Sequence, residues 1–257
     1  MNRLTQLFQN KTGKILSVYF TAGYPTLSGT VSILEALESR GIDLAEVGIP
    51  FSDPMADGPV IQQSAGEALR NGMSLKLLFE QLKQVRTTVK MPLVMMGYLN
   101  PIMQYGFANF CQSCAEVGID GVIIPDLPFA DYLANYKAIA ERHDLKMIML
   151  VSPETEENRI REIDEHTEGF IYLVSSASTT GAQQSFDDGK QAYFTRVADM
   201  KLRNPLLVGF GISNKATLDA ASAQTSGAIV GSKFIQLLGQ CASTDEAVAE
   251  LLAALRN

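Results

Sequence analysis

The chain has 257 residues, 46% of them hydrophobic, and a formal net charge of −7. A chain of this size buries roughly 75% of its unfolded surface, so its core needs no disulfide. With an acidic balance and no long basic run, nucleic acid and anionic membrane surfaces are poor main partners. A local anion site stays open, because backbone N–H groups bind phosphate without Lys or Arg.

The segment from Arg3 to Lys11 reads as an extra helix ahead of the first strand, placed to plug the bottom of a barrel. The stretch Met1 to Gln9 lacks the apolar core of a signal peptide. No apolar run reaches the roughly 20 residues of a membrane span, and the cytoplasm is the expected location. Short apolar runs then recur at 15–21, 43–49, 92–97, 119–125, 146–151, 169–175, 205–210 and 227–231. Helical spacing fills most of the gaps. Ser74 reads as an N-cap, with Leu75, Leu78, Phe79, Leu82 and Val85 on one face. Thr155 precedes Glu156 and Glu157 in a favourable first turn, with Ile160 and Ile163 behind. Ser243 and Glu246 form a capping-box pattern. Eight strand–helix units in about 250 residues predict one domain, a single (β/α)8 TIM barrel over 1–257 with an extra N-terminal helix. A doubly wound open sheet is the competing architecture, with fewer strands at this length and a switch point.

In a barrel, reactive groups gather where strands end. Glu46 lies within Asp43-Leu44-Ala45-Glu46-Val47-Gly48-Ile49-Pro50, a run that reads as a strand covered on both faces. A carboxylate there is costly unless paired, neutralised or used. Asp57 lies in the loop leaving the same strand, and two carboxyls in unlike environments suggest divided acid and base roles. A structural hydrogen bond is the plain alternative for Glu46.

Three late loops carry glycine: Thr180-Gly181, Gly209-Phe210-Gly211-Ile212-Ser213 and Gly231-Ser232. Glycine lets backbone approach a ligand, and loops after strands seven and eight are the usual phosphate cradle. Tyr172 is either a core aromatic or a hydroxyl donor facing the mouth. Tyr19 and Phe210 either wall a pocket or pack the core. Cys111-Gln112-Ser113-Cys114 sits inside a helical pattern and reads as helix packing rather than a redox pair. His143 and His166 fall near helix C-termini, where the dipole favours them. No side-chain set has metal-ligand spacing, and no metal is expected.

The run Ala45-Glu46-Val47-Gly48-Ile49-Pro50-Phe51-Ser52-Asp53-Pro54-Met55-Ala56-Asp57-Gly58-Pro59 closely resembles the signature of the tryptophan synthase alpha subunit family. The resemblance extends through Thr21-Ala22-Gly23-Tyr24-Pro25, Tyr98-Leu99-Asn100-Pro101, Pro125-Asp126-Leu127-Pro128, Tyr172-Leu173-Val174-Ser175 and the last two glycine loops. It implies a TIM barrel that splits indole-3-glycerol phosphate into indole and glyceraldehyde 3-phosphate by retro-aldol chemistry, with no metal or cofactor in this chain. It implies Glu46 and Asp57 as catalytic acids and Tyr172 as the active-site tyrosine. Tyr19, Thr180, Gly181, Phe210, Gly211, Gly231 and Ser232 are the expected substrate-binding residues. The implied partner is a beta subunit carrying pyridoxal phosphate in an alpha2-beta2 assembly, met through Asp53, Pro54, Asn100, Asp126 and Pro128. A stand-alone lyase with the same catalytic residues is the alternative. After strand six the family reads Ser-x-x-Gly-Val-Thr-Gly, whereas Ser178 and Thr179 replace the Gly-Val pair here.

Overall fold

A computed structural model describes residues 1–11, 13–175 and 188–256. Helix α1 (Arg3–Asn10) precedes strand β1 (Ile15–Thr21). There follow α2 (Thr30–Ser39), β2 (Leu44–Gly48), α3 (Pro59–Arg70), α4 (Leu75–Leu82), β3 (Leu93–Met96), α5 (Leu99–Tyr105), α6 (Phe107–Val117) and β4 (Gly121–Ile123). Next come α7 (Phe129–Asp131), a π turn (Tyr132–Tyr136), α8 (Lys137–Arg142), β5 (Lys146–Ile148), β6 (Leu150–Val151) and α9 (Glu157–His166). The chain ends with β7 (Ile171–Val174), α10 (Asp188–Asp199), β8 (Leu206–Gly209), α11 (Lys215–Ser222), β9 (Gly227–Val230), α12 (Ser232–Gln240) and α13 (Thr244–Arg256).

Among the described residues the strands form one parallel sheet in the order β5-β4-β3-β2-β1-β9-β8-β7-β6. Its two ends, β5 and β6, are consecutive segments joined by Met149, so the sheet comes round on itself there. The strand expected at 146–151 is thus present in two pieces. Tilted barrel strands are staggered, so its first half pairs with β4 and its second with β7. The fold is the expected TIM barrel, with helices outside the parallel sheet.

Alternation along the strands divides the core. Val18 and Phe20, Ala45 and Val47, Leu93 and Met95 face the helices. Ile15 and Tyr19, Leu44, Val94 and Met96, Phe170 and Tyr172 fill the barrel interior. Local signals mostly act as read. The Ser74 hydroxyl accepts the Leu77 N–H at 3.2 Å. The Ser243 hydroxyl accepts the Glu246 N–H, while the Glu246 carboxylate accepts from Ala242, one residue beyond a strict capping box. Helix α4 stops at Leu82, leaving Val85 in a separate 3-10 turn, and Thr155 instead ties its own turn by accepting the Ser152 N–H.

The extra helix α1 closes the N-terminal end of the barrel. Leu4 is fully buried among the interior side chains. A Cβ added at Gly121 or Gly169 would come within 3.4 or 3.0 Å of the Leu4 Cδ2, so glycine there makes room for the plug. Asp120 holds the helix by accepting from the Arg3 backbone and guanidinium, and it also accepts from Arg86. Leu4→Ala leaves a cavity that a closed barrel cannot easily collapse, so it should destabilise the chain by about 2–5 kcal/mol. Denaturant unfolding of the variant against wild type measures this, and a loss below about 1 kcal/mol would show that α1 merely rests on the barrel.

Candidate active site

The open end of the barrel is lined by residues from strand C-termini and the loops that follow. A cavity lies there, walled by Tyr19 of β1, Met96 of β3, Tyr172 of β7 and Ile229 of β9. Asp57 and Ile61 reach it from the segment after β2, Phe210, Gly211 and Ile212 from the loop after β8, and Gly231 and Ser232 from the start of α12. Thr180 and Gly181 lie outside the described residues.

Two glycines at inward strand ends accommodate the tyrosines. A Cβ at Gly48 would stand 2.2 Å from the Tyr19 hydroxyl, and one at Gly209 would stand 2.0 Å from that of Tyr172. No larger residue fits either place while the ring remains. The Tyr172 and Phe210 rings meet edge-on at 6.0 Å. Phe210 adopts a φ of 66°, in the left-handed region, and its carbonyl accepts the Ser175 hydroxyl at 2.8 Å. Backbone held in that region by its surroundings is common at ligand sites.

The two acids differ as their positions suggest. Glu46 is completely buried, and burial pushes its carboxyl up to about 8, against a smaller lowering by the Ser17 hydroxyl. That hydroxyl donates to Oε1 at 3.0 Å, while among the described residues Oε2 has no hydrogen-bond partner. Glu46 is therefore mainly the neutral acid at pH 7. Burial raises Asp57 less, to about 6, and the Tyr98 hydroxyl lowers it by donating to Oδ2 at 2.8 Å. The same hydroxyl accepts the Ala56 N–H at 3.0 Å, and its ring stacks on Phe51. Asp57 is thus mainly ionised at pH 7 and lines the cavity, whereas Glu46 is not part of the lining.

Ser17, Tyr98 and Ser175 are supporting residues that the sequence reading did not single out for a role. Ser17 had a visible signal, a small hydroxyl residue on the same face of an apolar strand as Tyr19 and Thr21. Tyr98 and Ser175 had their places at strand ends and in the motifs of the resemblance. Asp53, Asn100, Asp126 and Pro128 are exposed at the ends of the neighbouring strands β2, β3 and β4. The Asp126 carboxylate accepts the Leu99 N–H, linking two of these loops. Pro54, expected to face a partner, is buried, and the adjacent Met55 is 84% exposed instead. Cys111 and Cys114 are buried in α6 with their thiols pushed up by desolvation, as packing residues are. His143 caps the end of α8 and His166 ends α9. Among the described residues no group of three or more His, Cys, Asp or Glu is placed to hold a metal ion, and no helix is long and apolar enough to cross a membrane.

The family model for "Tryptophan synthase alpha chain" matches residues 5–257. The chain belongs to that family. It is 68% identical to a tryptophan synthase alpha chain of Parabacteroides distasonis over 257 residues, covering 100% of both chains. It is 55% identical to one from Flavobacterium psychrophilum over 238 residues, covering 93% of this chain and 94% of the relative. Among solved structures, the crystal structure of a tryptophan synthase alpha chain from Legionella pneumophila subsp. pneumophila superposes with a TM-score of 0.88 at 32% identity. That match covers 100% of this chain and 96% of the other. Membership makes the chain an enzyme subunit with lyase activity, serving tryptophan biosynthesis.

Tyr98→Phe removes the hydrogen bond that lowers Asp57 and keeps the ring. The Asp57 carboxyl should then titrate above about 6, so less of it is ionised at pH 7. A 13C NMR titration of the Asp57 carboxyl checks this, and an unchanged or lower midpoint would deny Tyr98 its role.

Proposed function

We propose that the chain cleaves indole-3-glycerol phosphate into indole and glyceraldehyde 3-phosphate. The observation that carries this reading is the division of two carboxyls at one strand end, Glu46 neutral and Asp57 ionised at pH 7. Glu46 gives its proton to C3 of the indole ring, placing positive charge on the ring nitrogen. The fixed Asp57 carboxylate stabilises that charge. The Glu46 carboxylate then takes the proton of the hydroxyl on the carbon bonded to C3. That carbon becomes the aldehyde, the bond to C3 breaks, and its electron pair returns to the ring. The carboxyl ends protonated, ready for the next cycle. Tyr19, Phe210 and Tyr172 suit the flat indole, with Tyr172 presenting its hydroxyl beside the acids. The chemistry runs on acid, base and charge, so the chain uses no cofactor of its own.

The phosphate fits the opposite side of the cavity, where Gly211 and Gly231-Ser232 bring backbone N–H groups to the start of α12. The exposed sector of Asp53, Met55, Asn100, Asp126 and Pro128 suits a beta subunit that carries pyridoxal phosphate and takes up indole, in an alpha2-beta2 assembly. The free cysteines Cys111, Cys114 and Cys241 suit the cytoplasm.

The test is indole release from indole-3-glycerol phosphate, with and without a beta subunit. Glu46→Gln should lower turnover by about 10²–10⁴-fold in a folded chain. Asp57→Asn should lower turnover strongly yet keep its affinity for glycerol phosphate. Near-normal turnover by folded Glu46→Gln would refute the assignment. A partner that leaves the rate unchanged would favour a stand-alone lyase.

The phosphate reading ranks two further variants. Gly211 has a φ of 81°, which a side chain strains, whereas Lys233 follows Ser232 into the helix. Gly211→Ala should weaken glyceraldehyde 3-phosphate binding more than Lys233→Ala does, measured by calorimetry. The reverse ranking would show that side-chain charge dominates.

A further inference from the structure

The register of β1 and β2 shows where the Glu46 side chain points. Glu46 is paired with Tyr19, and Ser17, two residues earlier, is paired with Leu44. Tyr19 lines the cavity at the C-terminal end of the strands. The Glu46 carboxyl nevertheless bonds to Ser17 rather than standing beside Tyr19 at the mouth. It leans back along the barrel axis, toward the end that α1 closes.

From this we infer that Ser17 is a latch: its hydroxyl holds the Glu46 carboxyl retracted beneath the cavity floor, and the carboxyl must leave it to reach substrate. The inference rests on the reaction proposed above. Ser17 is fully buried, and among the described residues its side chain bonds to Glu46. Among the described residues the Glu46 side chain keeps only that bond, since Oε2 is buried without a partner. A buried carboxyl with half its polar atoms unmet is poorly anchored, so one neutral hydrogen bond decides its position. The ionisable groups that interact with it are Tyr19 on β1 and Tyr172 on β7, both lining the cavity. Release therefore moves the acid toward these hydroxyls and away from the level of Leu44 and Ile229, the apolar register partners of Ser17. Ser17 touches no reacting atom and is a positioning residue.

Ser17→Ala removes the latch, and Ser17→Cys removes most of it at nearly constant volume. A crystal structure of either variant should show the Glu46 carboxyl turned into the cavity toward Asp57. The partner-free kcat for indole release should rise about fivefold, the worth of one net neutral hydrogen bond, with KM moving less than about twofold. Ser17→Thr, which keeps the hydroxyl, should restore the wild-type rate. A carboxyl that stays retracted in both variants, or a kcat that stays level or falls in an active enzyme, overturns the inference. Should wild type release no indole, the proposed reaction fails, and the position of Glu46 in the variants alone decides the latch.

Discussion

A carboxyl group inside a parallel barrel has no water to ionise against, and that constraint organises this molecule. The interior of the barrel is packed by side chains from every strand, and α1 closes its lower end with Leu4. Asp57 lines the cavity at the mouth, whereas Glu46 is fully buried and does not. Glu46 on the strand is therefore held neutral, while Asp57 in the loop keeps a charge that Tyr98 supports. The two groups share an intrinsic chemistry, and their difference comes from how completely each is buried.

Depth at the mouth is set by backbone as much as by side chains. Gly48 and Gly209 leave room beneath the hydroxyls of Tyr19 and Tyr172, so two large rings fit where the strands converge. Phe210 then closes over Tyr172 from a left-handed backbone that the Ser175 hydroxyl secures. The aromatic wall and the glycine-bearing loops beside it thus arise from the same strand ends. A change in one alters the fit of the other.

Much of this was legible in the chain. Strand–helix alternation gave the barrel, because parallel strands covered on both faces leave short apolar runs that periodicity finds readily. Glu46 stood out because a charge breaks such a run, and Asp57 because it follows on the same loop. What escaped was partnership across the barrel. Ser17 and Glu46 are 29 residues apart, and Tyr98 and Asp57 are 41 apart, so no local spacing joins them. The break at Met149 depends on the stagger of the strands on either side, which one strand's sequence does not carry. The resemblance gave Pro54 to the partner surface, yet the loop folds it inward and turns Met55 out.

That loop ties the rim of the barrel to its chemistry. It runs from β2, which carries Glu46, past Asp53 and Met55 at the surface, to Asp57 in the cavity. Inside it, the Pro54 carbonyl accepts the Asp57 N–H, and the Ala56 N–H donates to the hydroxyl that holds the Asp57 carboxylate. A displacement at Met55 therefore reaches the charged group through the backbone of Ala56 and through these two hydrogen bonds. It would act on Asp57 directly and on Glu46 only through the strand. Of the two acids, the shallow charged one is exposed to the surroundings of the rim, and the deep neutral one answers to Ser17.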